Sequence, residues 1–66
     1  MAEHVHASYE PLPAGTRVEV RDRFDRSFHP GFEVTNATES GYQLLRLSDR
    51  AQLPTVFAVD DVRPVG

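Results

Sequence analysis

The chain reads as an all-β domain, a small five-stranded barrel of SH3-like type, closed or half-closed. Three observations predict it: five short strand-like runs between Gly15 and Val65, turn residues closing each run, and no amphipathic helical stretch. The runs are 16–21, 32–35, 42–47, 54–58 and 61–63. Sixty-six residues suffice for one such domain and no more. A chain of this length buries only about 60% of its unfolded surface, so its stability is expected to be small. With no Cys, disulfides, thiolate metal sites and thiol catalysis are excluded together. The core must come from eight Val, five Leu, four Phe and two Tyr.

Residues 1–12 are expected to form a flexible N-terminal tail, with the barrel over 13–66. The tail shows no periodicity, and Pro11 and Pro13 deny it a regular ladder. In the first run Val18 and Val20 alternate with Arg17, Glu19 and Arg21, the period-2 pattern of a strand with one wet face. Residues 21–31 are expected as a long loop ending in a Pro30-Gly31 turn. Phe32 and Val34 then share a face and are expected in the core, and residues 36–41 read as a hairpin connection with Gly41 available for positive φ. The third run is apolar on both faces, with Tyr42 and Leu44 on one and Leu45 and Leu47 on the other. Phe57 is the expected core anchor of the fourth run, and residues 58–61 suit a single 3-10 turn before Val62.

These features resemble an SH3-like barrel of the Tudor and Agenet type. The likeness rests on Gly15-Thr-Arg-Val-Glu-Val20, on Phe28-His-Pro-Gly-Phe-Glu-Val34, and on the ending Leu53-Pro54, Phe57 and Asp61-Val-Arg-Pro64. It spans residues 15–64. The resemblance implies a binding module that holds a basic or methylated side chain in an aromatic cage, where a desolvated cation gains up to about 2 kcal/mol over ring faces. Carried over by position, Phe24, Phe28 and Tyr42 supply rings, and Asp22 or Asp25 supplies the paired acid. Phe28 stands where the family pattern usually has Trp.

Each candidate also has a plainer structural reading. Phe24 and Phe28 suit a cover over one end of the barrel as well as a ligand contact. Tyr42 suits the core edge as well as a groove. The mixed charges of residues 21–26 read as a solvated, self-paired loop rather than a phosphate site. Arg63 is expected to pair with a carboxylate, and Asp60-Asp61 to cap a helical turn. His4-Val5-His6, even with His29, is a weak metal constellation, so no metal and no cofactor are expected. Ser27 beside His29 has no orienting acid or oxyanion device in the sequence, so an enzyme is the least favoured class.

The expected function is a non-enzymatic module that recognises a protein or peptide segment through the aromatic loop. The net charge of −3 favours a basic partner. All seven basic residues are Arg, and the acidic balance disfavours a phosphate backbone. A nucleic-acid-associated barrel is the alternative, distinguished by steep salt dependence; a structural or regulatory subunit of a larger complex is another. No run approaches the roughly 18–20 apolar residues of a membrane span, and no secretory signal is visible, so the default expectation is cytoplasmic with no membrane partner. The oligomeric state stays open, with a monomer favoured.

Overall fold

The computed structural model describes residues 11–65, so the expectation of a flexible tail lies outside the described residues over positions 1–10. Five antiparallel strands follow: β1 (Arg17–Arg21), β2 (Phe28–Thr38), β3 (Gly41–Arg46), β4 (Ala51–Phe57) and β5 (Val62–Pro64). A 3-10 turn, Val59–Asp61, precedes β5. The expected all-β class, the five strands and the single turn before the last of them are all present. The sheet order is β4-β3-β2-β1-β5, with no hydrogen-bonded ladder joining the two outer strands. The sheet is therefore open along that seam, a form compatible with an SH3-like small β fold.

The alternations read from sequence set the buried face. Val18, Val20, Val34, Tyr42, Leu44 and Val62 form the core, and Val18, Val34 and Leu44 are completely buried. Phe32 and Phe57 pack against this cluster as expected, together with Leu12, Leu53 and Val59. Leu12, grouped with the tail by sequence, thus touches the core, and its N–H donates to the Tyr42 hydroxyl at 3.0 Å.

Strand β2 is far longer than the four-residue run expected. It takes in His29, Pro30 and Gly31, which the sequence marks as a turn. Gly31 absorbs the turn signal as a bulge: Val18 pairs with Phe32 but Glu19 pairs with Pro30, and Gly31 adopts φ 113° between them. Proline is tolerated because the β3 ladder begins only at Phe32, so Pro30 lies on a stretch paired on one side. A second irregularity, between Val34 and Asn36, bends the strand again. The hairpin after β2 accordingly shrinks to Glu39-Ser40, held by Thr38 Oγ1, which accepts from Ser40 N–H and Gly41 N–H at 3.2 Å each.

Strand β4 carries Pro54, and its register against β3 slips between Gln43 and Leu45. Opposite the slip, the Gln52 side-chain amide donates to the carbonyl of buried Leu44 at 3.1 Å. A side chain thereby satisfies an acceptor that the interrupted ladder leaves open.

Gly41 has φ 148°, and a Cβ there would lie 1.9 Å from the Phe57 carbonyl oxygen. Backbone is what it meets, so no side chain can swing aside. Gly41→Ala is expected to destabilise the fold by about 2 kcal/mol or more, a large share of a small domain's stability. Urea unfolding checks this; an unchanged midpoint would show that β3 and β4 separate freely at that point.

Candidate functional site

The β1–β2 connection is shorter than expected, residues 22–27, and closely constrained. Its ends are joined by Asp22 N–H donating to the Ser27 carbonyl and Arg26 N–H donating to the Asp22 carbonyl, each at 2.8 Å. Arg26 takes φ 62°, a left-handed conformation uncommon for a side-chain-bearing residue. Asp22 Oδ1 accepts the Phe24 N–H at 2.7 Å, and Asp25 Oδ1 accepts the Ser27 N–H at 2.9 Å and its hydroxyl at 2.8 Å. Side chains of this type build turns because a short carboxylate reaches a backbone N–H two residues on. Both acids named as cation partners by sequence therefore spend one oxygen shaping the loop.

The three candidate rings occupy different settings. Phe24 sits at the loop tip and is 98% exposed. Phe28 is half-buried at the start of β2, opposite Arg21. The Arg63 guanidinium lies 3.9 Å from its ring centroid, and that of Arg21 lies 5.8 Å away. Tyr42 is only 5% exposed. Its two readings resolve to the core one, with the hydroxyl engaged by Leu12. Phe24 is thus the ring left open, while Phe28 already faces the chain's own cations. A cleft of about 390 Å³ runs beside Phe24 along the open seam, with Val56, Phe57 and Ala58 on one wall and Arg21 and Asp61 on another; neither Phe28 nor Tyr42 lines it.

Ion pairs brace the surrounding frame. Arg63 donates to Glu19 at 2.7 Å, as the sequence suggested for that Arg. Arg21 donates through Nε and Nη2 to Asp61 Oδ1 at 3.0 and 2.7 Å. The 3-10 turn has no side-chain cap, so the capping role expected for Asp60-Asp61 is replaced at Asp61 by this bond from the turn to β1. Arg23 and Arg26 line a smaller cleft of about 310 Å³ with Arg21, Asp22 and Asp61. The loop is not self-paired as expected: among the described residues its carboxylates bind backbone, Ser27 and His29 rather than its Arg side chains.

His29 Nε2 lies 3.1 Å from Ser27 Oγ, 3.4 Å from Asp25 Oδ2 and 3.8 Å from Asp22 Oδ2. All three contacts fall on one ring nitrogen, whereas a nucleophile-base-acid relay uses both nitrogens for different partners. Sequence reasoning linked His29 to His4 and His6, which lie outside the described residues, and missed its convergence with Asp22 and Asp25. Two Asp residues with turn-forming spacing before a strand are the signal for that return of the chain. The chain matches no protein-family model, no curated protein and no solved structure.

The Ser27 backbone N–H, then its hydroxyl, hold the Asp25 carboxyl below its ordinary value of 3.8, with His29 adding to the effect. A carboxyl lowered in this way favours the folded loop above its ordinary range, and the contribution is lost as pH falls through the folded value. Ser27→Ala removes the hydroxyl but keeps the backbone donor. The Asp25 titration, followed by carboxyl carbon NMR, is expected to move up toward 3.8 without reaching it; an unmoved titration would exclude the hydroxyl as a cause.

Proposed function

We propose that the chain is a non-enzymatic binding module that recognises a protein or peptide segment through the Phe24 loop and the adjoining seam. One observation carries the proposal: a Phe ring 98% exposed on a loop whose shape is set by two carboxylate-built turns. A large apolar side chain held in water by a rigid support has about 1.5–3 kcal/mol to gain on burial. Val56, 39% exposed beside it, extends the apolar contact along the cleft. The net charge of −3 favours basic segments, and the resemblance to Tudor and Agenet barrels supports methylated ones. With Phe28 covered and Tyr42 buried, recognition relies on one open ring rather than a three-ring cage. A nucleic-acid partner is the second reading, favoured by Arg21, Arg23 and Arg26 around one cleft.

Phe24→Ala is expected to leave unfolding within about 0.5 kcal/mol of the parent, because the ring packs on nothing. The same change is expected to weaken binding of a basic, methylated or proline-rich peptide by about tenfold or more, measured by NMR shift perturbation. Perturbations confined to residues remote from the loop would overturn the proposal. Binding of an oligonucleotide that falls steeply with added salt would replace it with the second reading.

A further inference from the structure

We infer that Asp22, Asp25 and His29 form a binding site for a divalent transition-metal ion. One donor atom from each lies within 4.8 Å of the others. Each carboxylate is divided: its Oδ1 accepts loop hydrogen bonds, while its Oδ2 is turned to the imidazole. The backbone-built turns and the ion therefore draw on different oxygens, and binding exchanges only the 3.1 Å contact between Ser27 Oγ and His29 Nε2.

Ligands sharing an ion at about 2.1 Å stand roughly 3–3.5 Å apart. Asp25 Oδ2 and His29 Nε2 are already at 3.4 Å, Asp22 Oδ2 lies 3.8 Å from the same nitrogen, and the whole set, within 4.8 Å, closes by about an ångström or less. The donors are also free of competition from the chain's own cations. Arg17, Arg21, Arg46 and Arg63 take Glu33, Asp61, Asp49 and Glu19, and among the described residues no Arg pairs with Asp22 or Asp25.

One imidazole and two carboxylates suit ions of intermediate softness such as Co2+, Ni2+ and Zn2+. Ca2+ and Mg2+ are hard ions that take oxygen ligands, so the imidazole nitrogen in the set disfavours both. Exposed donors on one side leave the remaining coordination positions to water. The site stands whether or not Phe24 binds a peptide, because its ligands are not the ring.

The test uses the full chain carrying His4→Gln and His6→Gln, which removes the His-x-His donors of the N-terminal segment. Co2+ is titrated in while amide NMR spectra are recorded. Paramagnetic broadening centred on Asp22, Asp25 and His29 is expected; diamagnetic Zn2+ should shift the same amide signals, and Mg2+ and Ca2+ at equal concentration should leave them in place. His29→Ala and Asp22→Asn should each weaken Co2+ binding at least about tenfold, the lower bound for losing even a supporting partner at a metal site. Asp22→Asn keeps the oxygen that accepts the Phe24 N–H, so it separates loss of a ligand from loss of the loop. Absence of broadening in this background, broadening elsewhere, or affinity indifferent to both substitutions would overturn the site.

Discussion

The bend of β2 is the constraint on which the rest of the structure depends. Eleven residues give ladders to β1 on one side and β3 on the other. Run straight, a strand of that length would hold the sheet too flat to enclose so small a core. The bulge at Gly31 and the irregularity before Asn36 turn it twice, and β1 and β3 follow it around Val18, Val34 and Leu44. At the next corner β3 and β4 approach so closely that Gly41 stands against the Phe57 carbonyl. Curvature is thus produced by backbone exceptions, while side-chain alternation decides only which face is inside.

Among the described residues six hydrophobic side chains are buried, a thin core, and the polar groups around it are managed accordingly. Leu44 is wholly buried at a break in the ladder, where an unmet carbonyl costs roughly 1–3 kcal/mol, and Gln52 meets it. Tyr42 closes the other end by accepting the Leu12 N–H. Strand β5 is only three residues long, yet Arg63 ties it to Glu19 while stacking on Phe28. Exposed ion pairs contribute little singly. Here a guanidinium that bonds a carboxylate on one side and covers a ring on the other joins three strands at one point.

The sequence made the strand faces legible because burial repeats every second residue. Val18, Val20, Val34 and Leu44 lie where alternation puts them, and the turn before Val62 falls where expected. The extent of β2 was hidden, since Pro30-Gly31 marks a turn by composition and a bulge by tertiary context. The aromatic residues were legible in kind and not in setting. Phe28 and Tyr42 differ from Phe24 only through partners distant in sequence: Arg63 lies 35 residues beyond Phe28, and Leu12 30 residues before Tyr42. Composition and period carry no record of such pairings.

The loop from Asp22 to Ser27 shows why preorganisation matters in a domain this small. A flexible loop would lose conformational freedom on binding, at about 1–2 kcal/mol per ordered residue. Here the cross-loop backbone bonds and the two Asp turns have already ordered the chain, and the left-handed Arg26 is strain accepted to close it. On the proposed reading, a partner meets a ring whose support is in place, so most of the gain from burying Phe24 appears as affinity. Because Asp22 and Asp25 build those turns with one oxygen each, any cation held by their other oxygens would stiffen the same support. The ring and the donor set are therefore mechanically joined even though they are chemically separate.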